Sequence, residues 1–314
     1  MGRGSGFGKV ILFGEHFVVH GVPGIVSAID LRADAEVKKI GDGITIKDER
    51  RGAKDYAEKK RIQQKESIQR MLKIMGIDLE KAFLEIRLGG NLPGFSGIGA
   101  SAASSVAIAR AIAEELEMKL SDERINEIAY EAEKAYAGTP SGIDNSAATY
   151  GGLIWFRRSL RGGPNTIERL SIRQPVEIVI GNTGVVADTR EMVAGVAERK
   201  KENPVKYDSL FNQAELLALE ARKALEDFDL RKVGRLMNEN HGLLQEIGVS
   251  CKELDYLIKL AREQGAFGAK LTGGGGGGCM VALTPTKELQ EAVATAMEKE
   301  GFKVLRAKIG VQKT

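Results

Sequence analysis

Apolar residues run from Val10 to Phe13, break at Glu15 and His16, and resume from Phe17 to Val19. That pattern predicts a strand, a tight polar turn and a second strand. Alternating apolar positions at Ala35–Val37 and Ile44–Ile46, with Gly41 and Gly43 between them, predict a hairpin, and the charged stretch Glu49–Lys73 that follows has a helical period. Strand character returns at Phe83–Leu88. A glycine-rich loop over 89–99 then opens abruptly into Ala100–Leu116, an alanine-rich run that reads as a helix. A second helix is expected from Ser121 to about Tyr136, with Ser121 as its N-cap and Asp122 and Glu123 where acidic side chains suit the helix dipole. Arg124 stands where a capping box would need an acid. Gly138–Asn145 reads as a turn.

In the second half, Ile154–Phe156 and Val176–Ile180 read as strands, and Ser209–Glu226, Leu230–Ile247 and Lys252–Glu263 as helices. Lys270-Leu271-Thr272, the six glycines Gly273–Gly278 and a strand Cys279–Leu283 come next, before a closing helix and strand. The turn-rich Arg161–Asn165 marks an expected boundary between two domains, 1–160 and 161–314, a division that suits a chain of 314 residues.

Charge narrows the partners. With 46 basic and 43 acidic side chains and a formal charge of +3, nothing calls for a nucleic acid or a membrane surface. The basic stretch Glu49–Lys73 could face an anionic ligand, but a solvated helix surface is the simpler reading. Cys251 and Cys279 are too few for a disulfide framework and fit a reducing compartment as packing residues. The first apolar run is too interrupted for a leader or a spanning helix, so a soluble, cytoplasmic protein is expected.

Chemistry is concentrated in a few places. Gly97-x-Gly99-x-Ser101 at a helix entry brings free amides and the positive end of the helix dipole to one point, where a phosphate can sit and Ser101 can reach a metal ion; a helix start with no ligand fits equally. A dinucleotide fingerprint at Gly97-x-Gly99-x-x-Ala102 lacks its adjoining strand and its acidic residue, and Gly8-Lys9 lacks the leading glycine and the hydroxyl of a P-loop. Asp144 could serve as a base beside a lysine, although capping its turn is the simpler role. Glu133 could give a metal a second oxygen, although a lone helical Glu is usually exposed. Glu15 and His16 suit a polar pocket or, more simply, an exposed turn. The glycine run costs backbone entropy unless its conformation is required, and close approach to a ligand is the expected requirement.

Taken together and in order, Gly8–His16, Leu92–Ser101 and Lys270–Gly278 resemble the superfamily of galactokinase, homoserine kinase, mevalonate kinase and phosphomevalonate kinase, the GHMP kinases. Gly14-Glu15-His16 with Val18–Gly21, and Gly138–Asn145, are most similar to its mevalonate kinase branch. The resemblance implies an α/β and α+β, GHMP kinase-like two-domain fold, with an N-terminal ribosomal-protein-S5-like domain and a C-terminal ferredoxin-like α+β domain. It also implies transfer of the ATP γ-phosphoryl group to the 5-hydroxyl of mevalonate, with Mg2+ as cofactor. By similarity Asp144 and Lys9 are catalytic. Lys9, Phe95, Ser96, Gly97, Ile98, Gly99, Ala100, Ser101 and Ala102 bind ATP together with Gly273, Gly274 and Gly275. Glu15, His16, Asp144, Thr189 and Thr272 lie toward the acceptor, and Ser101 and Glu133 hold the metal. ATP and mevalonate are the implied partners, and a homodimer is a possible assembly. Gly274 replaces a common Ala, Ala137 a common His and Ala187 a common Arg. A sister kinase with another acceptor, or a non-catalytic sensor on this fold, is the alternative.

Overall fold

A computed structural model of the chain describes residues 1–50, 53–94 and 97–313, with 53–60 described in their backbone alone. Phe95 and Ser96 of the expected phosphate loop therefore lie outside the described residues. In chain order come β1 (Gly2–Phe13), a 3-10 turn (Phe17–His20), β2 (Gly24–Lys39), β3 (Ile44–Asp48), α1 (Ala53–Ile74), β4 (Leu84–Gly90), α2 (Ala100–Glu115), α3 (Asp122–Ala137), α4 (Ile143–Tyr150), β5 (Leu153–Arg157), β6 (Thr166–Leu170), β7 (Val176–Asn182), α5 (Thr189–Glu202), α6 (Pro204–Glu226), α7 (Leu230–Glu246), α8 (Lys252–Glu263), β8 (Gly268–Thr272), β9 (Cys279–Leu283), α9 (Lys287–Lys299) and β10 (Lys303–Ile309). The chain forms two compact units, 1–9 with 30–151 and 10–29 with 152–314.

In the first unit β4 lies between β2 and β3, antiparallel to one and parallel to the other. The hairpin expected from Ala35–Val37 and Ile44–Ile46 does not form, because β4 takes the facing edge of both strands. A parallel pair needs a crossover, and α1 supplies it between β3 and β4. Val37, Leu84, Ile86 and Leu88 face Ile68, Met71 and Leu72 of α1 and Val106 and Ile112 of α2 in one apolar core. The strand expected at Val10 begins eight residues earlier. Gly2, Gly4 and Gly6 lie against the carbonyls of Ala111, Ala107 and Ala103, spaced by four along α2, where any Cβ would strike backbone. Ser121 caps α3 as expected, accepting the Arg124 N–H at 3.3 Å. Gly138–Asn145 is a turn only in its first part, since its last three residues open α4.

The second unit contains an antiparallel ladder in the order β10, β7, β9, β8, with β2 residues 24–27 pairing β5, and β5 pairing β6. Leu210, Phe211, Leu244, Leu257, Ile258 and Val293, from α6 to α9, form its core with Val179, Leu271 and Met280 from the strands. Phe17–Val19 is not a strand. Gly14 (φ 99°) and His16 (φ 60°) reverse the chain, and the N–H of Val18 bonds back to Gly14 (2.9 Å) and that of Val19 to His16 (3.1 Å). Phe17 is thereby set edge-on against Phe211, with ring centroids 5.2 Å apart. Helix α5 was not anticipated. It buries Val196 and little else, so it carries no apolar period, but Asp188 caps it by accepting the Arg190 N–H at 2.8 Å. No helix among the described residues is long and apolar enough to cross a membrane.

Candidate active site

The first unit gathers Lys9, Gly97, Ile98, Gly99, Ser101, Glu133 and Asp144. Lys9 is 3% exposed on β1, and its backbone N–H bonds to the Ile98 carbonyl at 2.9 Å, which fixes the strand against the loop. Its Nζ lies 3.0 Å from Asp144 Oδ1. Asp144 stands in the first turn of α4, near the positive end of the helix, with Gly142 at the N-cap and a side chain 35% exposed. A carboxylate that is paired with an ammonium yet open to solvent can still accept a substrate proton.

At the head of α2, Gly99 is left-handed at φ 73°, and no side chain caps it among the described residues. The N–H of Ala103 closes the first turn onto Gly99 at 2.9 Å. The amides of Ala100, Ser101 and Ala102 are the orphan donors that every helix start leaves, ready for an anion. Gly99 is also a steric requirement, since a Cβ there would lie 2.7 Å from Lys9 Cγ.

Ser101 Oγ donates to Glu133 Oε2 at 3.0 Å. Glu133 is not the exposed helical residue that its setting in the sequence suggests; it is 6% exposed. Burial, reinforced by the Asp144 charge and opposed by the Ser101 hydrogen bond and Lys9, raises its carboxyl to about 8. Its Oε1 is buried with no hydrogen-bond partner. A hard cation beside the Ser101 hydroxyl would relieve that cost.

A separate group of expected residues meets in the second unit. His16 is 6% exposed, so the exposed-turn reading fails, and its Nε2–H donates to the Gly274 carbonyl at 2.9 Å. Burial, with weaker effects of His20 and Arg199, lowers His16 to about 4 despite that hydrogen bond, so its ring is neutral near pH 7. Thr189 heads α5 beside Gly274, where a Cβ would lie 2.5 Å from Thr189 Oγ1. The Ala common in the resembling family would not fit here without moving Thr189. Gly275 abuts the Val249 carbonyl, and Gly276 abuts Ala187 and Met192, so this part of the run packs against the protein's own chain, whereas a ligand was expected. Gly273 follows β8 directly at φ 87°.

Glu15 and Thr272, both expected beside the acceptor, are 1% exposed. The Glu15 carboxylate meets the Lys270 ammonium, and the Thr272 hydroxyl accepts the Ile11 N–H at 2.9 Å. Lys270 was not singled out from the sequence. A lysine inside a strand of otherwise apolar and small residues was the available signal, because a buried charge needs a partner.

This arrangement, with a strand lysine paired to a carboxylate beside an uncapped, glycine-led helix, defines a class. The description "GHMP kinases N terminal domain" matches residues 65–152, and "GHMP kinases C terminal" matches 221–303. Similarity runs further. Mevalonate kinase of Pyrococcus abyssi is 34% identical, with 94% of this chain and 95% of that protein aligned, and mevalonate kinase of Aeropyrum pernix is 33% identical over 94% and 92%. The crystal structure of L. major mevalonate kinase in complex with R-mevalonate superimposes with a TM-score of 0.93 at 38% identity, covering 100% of this chain and 97% of that one. The chain belongs to the mevalonate kinase family of the GHMP kinases. A kinase that takes ATP takes a divalent metal ion with it. The orphaned oxygen of Glu133 and the Ser101 hydroxyl fit such an ion.

Proposed function

We propose that this protein transfers the γ-phosphoryl group of ATP to the 5-hydroxyl of (R)-mevalonate, giving 5-phosphomevalonate and ADP for isoprenoid biosynthesis in the cytoplasm. The observation that carries the reading is the 3.0 Å pair of Lys9 Nζ and Asp144 Oδ1 in the same unit as the orphan amides of α2. Phosphoryl transfer asks little covalent chemistry of the protein and much positioning and charge stabilisation. Asp144 accepts the proton of the attacking hydroxyl and aims its oxygen. Lys9, 3.0 Å from the Asp144 carboxylate, orients it and steadies the negative charge that develops on the transferred group. The amides from Gly97 to Ala102 hold phosphate oxygens, and Phe95, Ser96 and Gly273–Gly275 are assigned to ATP as well. Ser101 and Glu133 hold Mg2+, which neutralises phosphate charge when bound.

Residues 1–160 supply the phosphate loop in this reading, and 161–314 the glycine-rich loop. On the acceptor side we place His16 and Thr189, with Glu15 and Thr272 acting by holding their neighbours. That a 38% identical relative was crystallised with R-mevalonate supports the choice of acceptor. The test is magnesium-dependent ATP consumption against mevalonate, phosphomevalonate, galactose and homoserine, with NMR locating the new phosphate. Turnover with mevalonate and phosphate on the 5-oxygen supports the proposal. Phosphate elsewhere, or activity only with another acceptor, refutes the acceptor assignment, and inactivity with all four refutes the kinase reading.

A further inference from the structure

Three side-chain links stitch the segment 11–16 to the segment 270–274, and all lie within the second unit. Thr272 Oγ1 accepts the Ile11 N–H (2.9 Å) and donates to the Ile11 carbonyl (3.3 Å). His16 Nε2–H donates to the Gly274 carbonyl (2.9 Å). Between them the Lys270 ammonium meets the Glu15 carboxylate and the Leu271 carbonyl, the latter at 2.6 Å.

The ion pair is the costly link, because both side chains are 0% exposed. Two charges withdrawn from water are seldom more stable than apolar residues of the same shape, so stability alone does not account for the pair. Register does not require it either, since β8 already pairs β9 from Gly268 to Thr272. What it does hold is a strained neighbour. His16 is one of few residues other than glycine with positive φ, at 60°, and such a conformation persists only where the surroundings over-determine it. With Glu15 anchored on one side and the Gly274 carbonyl on the other, the His16 ring has one orientation.

We infer that Lys270 and Glu15 are positioning residues, a buried clamp that keeps His16 in its strained, positive-φ conformation (φ 60°, ψ −46°) and, through the His16–Gly274 hydrogen bond, sets the start of the glycine run. Glu15 then acts on the acceptor through His16 and does not touch it. The kinetic consequence rests on the proposed function, but the clamp itself does not. The charged and titratable groups facing His16 are His20 from its own turn and Arg199 from α5. Those facing Lys270 include His241 of α7, which bonds Asp255 of α8 at 3.0 Å.

The test is the double variant Glu15→Gln with Lys270→Met, which removes both charges at nearly constant shape and is expected to stay folded. Imidazole NMR reads His16 directly. In the wild type it is expected to titrate well below the ordinary 6.5, at about 4, because the ring is buried. In the variant it is expected to rise toward the ordinary 6.5 as the ring is released, and kcat/KM for mevalonate to fall at least tenfold, roughly the loss of one positioning contact. The exchanged pair, Glu15→Lys with Lys270→Glu, is expected to restore His16 and part of the rate, and it serves also if the neutral double variant does not fold. A folded double variant with His16 and kinetics unchanged overturns the clamp. Lost activity with His16 unchanged overturns it too, and returns Glu15 to direct contact with the acceptor. A released His16 in a protein whose wild type ignores mevalonate leaves the clamp standing and removes the proposed function.

Discussion

Replacing Gly99 with Ala should couple to Lys9 across the loop, and the structure fixes the size of the effect. Gly99 has φ 73° and ψ 27°, a left-handed conformation that costs an alanine about 1–2 kcal/mol. The new methyl would lie 2.7 Å from Lys9 Cγ and 3.1 Å from its Cε. Lys9 is 3% exposed and 3.0 Å from Asp144, so it cannot swing aside freely, and crowding of this kind costs a further ~1–3 kcal/mol. The total of about 3 kcal/mol should lower the melting temperature by roughly 4–5 °C for a chain of 314 residues. Because the atom struck belongs to the proposed catalytic lysine, kcat should fall by about tenfold or more, while protein that remains folded still binds nucleotide.

A double-mutant cycle separates the two contributions. Lys9→Ala deletes the side-chain atoms that the methyl would meet, so Gly99→Ala in that background should cost only the backbone contribution of about 1–2 kcal/mol. Denaturant unfolding of the four proteins measures the coupling, expected to be at least ~1 kcal/mol. Equal costs in both backgrounds would refute the reasoning, because the strain would then reside in the loop and not in the contact with Lys9.

Asp144→Asn should leave ATP binding largely intact and reduce turnover by about 10²-fold or more, the usual worth of a positioned base; near-normal turnover in a steady-state assay removes Asp144 from that role. Ser101→Ala should weaken binding of the magnesium–nucleotide complex, measured by calorimetry, and an unchanged affinity counts against Ser101 as a metal ligand. Stability should fall in mild acid. His16 and His241 are both lowered from 6.5 to about 4, chiefly by burial, so the unfolded chain takes up protons that the fold refuses. Their contribution is fully present above pH 6.5 and is lost as pH falls toward 4, up to about 3 kcal/mol for each ring. Urea midpoints that stay level between pH 6.5 and 4 would contradict this.

What the sequence made legible, and what it hid, follows from how local each signal is. The passage from Gly97 to Ser101 is readable because glycines followed at once by an alanine-rich run mark a helix start whatever surrounds it. The order β3, β4, β2 is not readable in the same way, because a hairpin and a crossover leave the same alternation in each strand. Helix α4, at eight residues, is shorter than the window in which a helical period can be recognised. The six glycines announced a constraint but not what they approach, since Thr189, Val249 and Ala187 are distant in the chain.

Burial of charge is the deeper case. Glu133 and Glu15 each read most simply as surface residues, yet their partners Ser101 and Lys270 stand 32 and 255 positions away. One rule would have found the second pair. Glu15 follows an apolar strand, and Lys270 lies inside another with Ala269 and Leu271 on either side, all fully or nearly fully buried. A single charge in an apolar segment is tolerable only with its opposite beside it, so two such charges in one chain are candidates for each other. Glu133 illustrates where that rule stops. It has no buried cation of its own among the described residues, keeps one oxygen without a hydrogen bond, and has its carboxyl raised to about 8. A buried acid left in that state is better explained by a ligand that arrives than by a partner in the fold.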